Sequence, residues 1–149
     1  MTNPRIALWF AVAVSIPACG KSKAEQCSAV IAGYNTVSET VRKGIGDGTD
    51  PVLIENTATA IEEASRSFET VKVSDAKVKV VQGDLTKAFD GYTAKLKQMA
   101  SLVRDAKDPA KAEAATAKIV AIAADFETTK TALVNSKQAL MSECGATAQ

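Results

Sequence analysis

Residues 74–103 read SDAKVKVVQGDLTKAFDGYTAKLKQMASLV. Within them Val78, Val81, Leu85, Ala88 or Phe89, Tyr92, Leu96, Met99 and Val103 recur at three- and four-residue steps, one face of a long helix. Ser74-Asp75 stands ahead of the stripe and supplies a capping oxygen for the first free amides. Gly83 and Gly91 weaken the helix, each by about 1 kcal/mol relative to alanine, and would let a neighbouring helix come close.

The same period extends outward on both sides. Downstream, Lys107-Asp108-Pro109 should open a fourth helix, with aspartate as cap and proline at its first position. Its stripe is Ala112, Ala115, Ile119, Ile122, Phe126, Leu133, Leu140 and Cys144, and Gly145 ends it. Upstream, Asp50-Pro51 opens a second helix whose inner face is Ile54, Ala58, Ile61, Ala64 or Ser65, Phe68 and Val71. A first helix from about Ser22 or Ala24 to Lys43 turns Cys27, Val30, Ile31, Tyr34, Val37 and Val41 inward, and Gly44 can close it. Four amphipathic helices joined by short connections predict an all-α, antiparallel up-down-up-down four-helix bundle over residues 24–145, with 146–149 frayed.

Helices three and four, Ser74–Ala106 and Asp108–Cys144, are longer than the other two. At 1.5 Å per residue the excess carries their hairpin roughly 15 Å beyond the rest. Leu96, Met99, Leu102 and Val103 have only alanines opposite them there. That predicts an open apolar contact surface with Arg104, Lys107 and Lys111 at its rim. The alternative is that the Gly44–Asp50 connection climbs over the hairpin and covers it.

The amino-terminal end has a different character. After Arg5, an apolar run of 11 residues extends from Ile6 to Ile16, too short to span a bilayer but suited to a secretory signal. It ends in Ile16-Pro17-Ala18-Cys19. This resembles the lipobox of bacterial lipoproteins: a branched apolar residue, two further residues, the second small, then cysteine. The resemblance covers only the first 19 or so residues. It implies a signal peptide over 1–18, lipidation of Cys19 as the first mature residue, and residues 19–23 as a short tether. Gly20 is not the aspartate of an inner-membrane retention signal, so the outer membrane is favoured if the host has two membranes. Ordinary cleavage after Ala18 is the rival reading, though Ile16 is bulkier than such a site prefers. Two or more acyl chains make a stable anchor where one does not.

Cysteine arithmetic agrees. Of the three cysteines, lipidation would take Cys19 and leave Cys27 and Cys144. In an up-down-up-down bundle these share one end, so an oxidising compartment allows a Cys27–Cys144 disulfide that staples the termini.

Removing residues 1–18 from 149 leaves 131, one ordinary domain. Arg5 is the only charge lost, so basic and acidic side chains balance and nothing marks a nucleic-acid partner. The chain has no histidine, which removes histidine-based nucleophilic triads, Glu-x-x-His di-iron sites and c-type haem attachment. Gly20-Lys21-Ser22 lacks the upstream glycine of a phosphate-binding loop, and the aspartates of the Gly44–Asp50 connection lack calcium-loop spacing. Met99 and Met141 read as core filling, the carboxylates as a solvated face, and the aromatics as core. The sequence therefore predicts no catalytic residues, no metal and no cofactor. It predicts a lipid-anchored extracytoplasmic protein acting by binding or structural contact in the cell envelope. Its partners would be the membrane, through the anchor, and an envelope protein. A carrier of a small apolar ligand within the bundle is the alternative.

Overall fold

The computed structural model of the chain describes residues 21–44 and 48–145. Residues 1–20, on which the expected signal peptide and the lipidation of Cys19 fall, the middle of the first connection and the last four residues lie outside them. Four helices run in sequence: α1 Lys23–Lys43, α2 Pro51–Glu69, α3 Ala76–Asp105 and α4 Ala112–Glu143. They form an antiparallel four-helix bundle. α3 is its hub, lying along both α2 and α4, while α1 rests mainly on α2.

Local chemistry sets the helix starts. Ser22 and Glu25 make a reciprocal capping box on α1. Asp50 accepts the Val52 amide with Pro51 at the first position of α2, and Asp75 accepts the amides of Lys77 and Val78 on α3. α4 departs from expectation. Asp108 accepts the Ala110 amide through its side chain and the Lys111 amide through its carbonyl. Its capping is thus spent on a separate turn, and α4 begins at Ala112 without a side-chain cap.

The predicted inner stripes meet in one core. Val30, Ile54, Ile61, Val78, Leu85, Leu96 and Leu140 are fully buried, and Phe68 meets Phe89 edge to face at 6.1 Å. Each such apolar side chain contributes about 1.5–3 kcal/mol on leaving water. The expectation for the glycines is corrected. A Cβ at Gly83 would meet nothing within 4 Å, and one at Gly91 only Thr129 Cγ2 at 3.9 Å. The close approach lies at Gly33, where a Cβ would stand 2.9 Å from Phe68 Cδ2.

Two buried glutamines fasten the α2–α3 turn. Gln82 donates to the carbonyls of Phe68 and Val71 at 2.9 and 3.0 Å. Gln26 accepts the amides of Ser74 and Asp75 and donates to Lys21 O and Ser74 Oγ. These bonds satisfy the Ser74 and Asp75 amides and the Val71 carbonyl, groups whose loss of a partner costs about 1–3 kcal/mol each. They also add a second donor to the Phe68 carbonyl, which already accepts the Val71 amide. Cys27 and Cys144 form a disulfide at the same end, with Cα atoms 5.6 Å apart. Beside it Lys23 pairs with Glu143.

Candidate functional site

The hairpin tip opposite the disulfide carries an open groove. Met99 and Val103 share one face of α3 and are half-buried, and Ala106 continues the line into the turn. Ile119, half-buried on α4, forms the facing wall. Gly48 and Thr49 close a third side, and Lys107 stands at the edge. Gly48 has a φ of +74°, a left-handed value that favours glycine. Thr57 ties the α1–α2 connection to α2 by donating to the Gly44 carbonyl at 3.0 Å. Gly48 and Thr49 of the connection thus reach the hairpin and form one wall of the groove, while residues 45–47, on which the covering alternative also falls, lie outside the described residues.

Only part of the predicted contact surface is available. Leu96 is fully buried and Leu102 is 8% exposed, so neither faces a partner. Leu102 lies seven residues after Lys95, whose ammonium reaches Asp125 of α4 at 2.5 Å. It therefore falls on the α4 side of α3. Alanines opposite it do not leave it open, because α4 packs along α3. The basic rim shrinks as well. Arg104 bonds Glu55 of α2 at 2.8 Å, and Lys111 pairs with Asp105 at 3.2 Å. Lys107 alone of the three has no ion pair among the described residues. Met99, Val103 and Lys107 remain, joined by Ile119, Ala106, Gly48 and Thr49. Ile119 appeared in the sequence only as a core position; a bulky residue within an alanine-rich stretch of α4 was the signal for more.

Elsewhere the polar side chains serve the fold. Glu62 accepts from Lys97 and Arg66, both at 2.6 Å, and the Lys97 bond holds its carboxyl below the usual range. Tyr92 stands edge to face with Phe126 at 5.4 Å, and burial pushes its phenol up. Among the described residues no group of three or more His, Cys, Asp or Glu side chains could hold a metal ion, and no helix is long and apolar enough to cross a membrane.

No protein-family model, no curated protein and no solved structure matches the chain. What defines it is a four-helix bundle with one end carrying a disulfide and the other an apolar groove.

Proposed function

We propose that the chain is a lipid-anchored protein of the cell envelope that works by contact, presenting its tip groove to another envelope protein. The observation that carries this reading is the separation of its two ends. The described chain begins at Lys21, beside the disulfide, two residues from Cys19. The groove of Met99, Val103 and Ile119 lies at the other end of α3, a helix of 30 residues and therefore about 45 Å long. A domain tethered at its base would hold this groove well clear of the bilayer. The filled core supports contact over carriage of a small ligand, since Phe68, Phe89 and Ile61 occupy the middle of the bundle.

The test places a photo-crosslinking residue at Ile119, and as a control at the exposed Val134, in the full chain within its own envelope. Crosslinks at 119 and not at 134, to one protein that the purified chain also binds, are the expected result. Binding by that protein should weaken at least tenfold in Met99→Asp, with the thermal midpoint little changed. Equal capture at both positions, or none, refutes the groove as a contact site. Intact mass of the mature chain, beginning at acylated Cys19, tests the anchor separately.

A further inference from the structure

The base of the bundle holds a second concavity, at the α2–α3 turn. Ala29, Val71 and Val73 make its apolar floor, and Lys21, Lys72 and Lys79 stand around it, with Glu69 the one acid in its lining. Gln26 and Gln82 hold this floor in place through bonds to the turn. None of the three lysines has an ion pair among the described residues. Three nearby carboxylates are engaged elsewhere: Asp75 accepts the Lys77 and Val78 amides, Glu25 accepts the Ser22 amide, and Glu143 pairs with Lys23. Glu69 is set against three lysines, which leaves the lining net positive. Elsewhere Lys95, Lys97 and Lys111 each find a carboxylate, while Lys43, Lys77, Lys107, Lys118 and Lys137 also lack an ion pair among the described residues. What sets the base apart is that three such lysines ring one apolar floor.

We propose that this base docks on anionic phospholipid headgroups of the membrane that holds the chain. The proposal rests on the anchored reading above, which sets Lys21 within two residues of the acyl chains. The chemistry is complementary. Three unpaired ammonium groups face headgroup phosphates, and their methylene stems and the valine floor accept the adjoining glycerol and upper acyl carbons. Surface lysines screened by partners could not serve this way, whereas these three are free to exchange counterions for phosphate. Docking would fix the tilt of the domain and so the height of the tip groove.

Lysine footprinting decides it. The full chain is bound to vesicles of phosphatidylcholine alone or with one third phosphatidylglycerol, labelled briefly with an amine-reactive acetyl ester, and mapped by peptide mass spectrometry. Lys72 and Lys79 should label at least fivefold more slowly on anionic than on neutral vesicles, while Lys107 and Lys118 at the far end stay unchanged. In Lys72→Gln/Lys79→Gln the protection of Lys21 should fall to its neutral-vesicle value, with helicity and thermal midpoint retained. Equal labelling on both vesicles overturns the docking, as does equal protection on both. Protection by inorganic phosphate without vesicles would mark a small-anion site and also overturn it. The mass at Cys19 is read on the same sample. An unlipidated chain overturns the anchor alone if it still pellets with anionic vesicles and shows the footprint, and overturns both readings if it does not.

Discussion

Replacing glycine by alanine should have opposite signs at two positions in this bundle. Alanine is favoured over glycine in a helix by about 1 kcal/mol. At Gly83 nothing opposes that gain, because no atom lies within 4 Å of the new Cβ. Gly83→Ala should therefore stabilise by about 1 kcal/mol, raising the thermal midpoint by roughly 3–5 °C. At Gly33 the new methyl would stand 2.9 Å from Cδ2 of Phe68. That atom is in the body of a ring that is 1% exposed and seated against Phe89, so it cannot swing away without moving the core. Overpacking of this kind costs about 1–3 kcal/mol, and the lever of the helix gain offsets only part of it. Gly33→Ala should come out destabilised by up to about 2 kcal/mol. Urea unfolding of the oxidised protein, with equal slopes for all three proteins, measures both. A Gly33→Ala variant as stable as Gly83→Ala would refute the close packing of α1 on Phe68.

The disulfide closes a loop with a sequence separation of 117, for which loop-closure entropy gives about 5 kcal/mol as an upper figure. Cys27→Ala/Cys144→Ala should lower the urea midpoint accordingly, and alkylation of both thiols in the unreduced native chain would show that the bridge does not form. Acid should weaken the fold. The amides of Val78 and Lys77 hold Asp75 below the usual carboxylate range, the Lys97 bond does so for Glu62, and the Ser22 amide for Glu25. A carboxyl lowered in the folded state stabilises above its unfolded pKa, about 4, and loses that contribution as pH falls through the folded value. The urea midpoint should hold from pH 7 to about 5 and drop below pH 4, less steeply in Asp75→Asn; a midpoint that rises on acidification would contradict this linkage.

Much of this architecture was legible because the sequence repeats one physical device. Asp50-Pro51 and Ser74-Asp75 mark helix starts, and the stripes from Cys27 to Val41 and from Ile54 to Phe68 turn inward as spaced. Cys27 and Cys144 meet because an even number of helices returns the chain to its starting end. What failed to show were features that depend on distances between helices. Asp108-Pro109 looks like the other caps, yet a local turn consumes it. Gly33 and Gly83 are indistinguishable until the neighbour is placed. Gln26 and Gln82 carry no signal in the sequence, because nothing local reveals that the α2–α3 turn, 48 residues from Gln26 and 11–14 from Gln82, needs their side-chain amides.

α4 shows the deeper reason. Only Ala115, Ile122 and Leu140 of its 32 residues are buried, against eight on α3, and Val120 and Val134 face outward. Its apolar residues are spread around the helix, so periodicity names a stripe but does not say how much lies against it. α4 packs along α3, while α1 and α4 make no extended backbone contact among the described residues. The Cys27–Cys144 bridge and the Lys23–Glu143 pair therefore join two helices that packing alone leaves apart. The same division shapes the ends. At the base, covalent and polar bonds fix α1, the α2–α3 turn and α4 as one rigid platform. At the tip, α4 packs along α3 but leaves Met99, Val103 and Ile119 incompletely covered. Ala106 in the lining is small, and a larger side chain there would fill the gap, so alanine preserves a groove at the end opposite the disulfide.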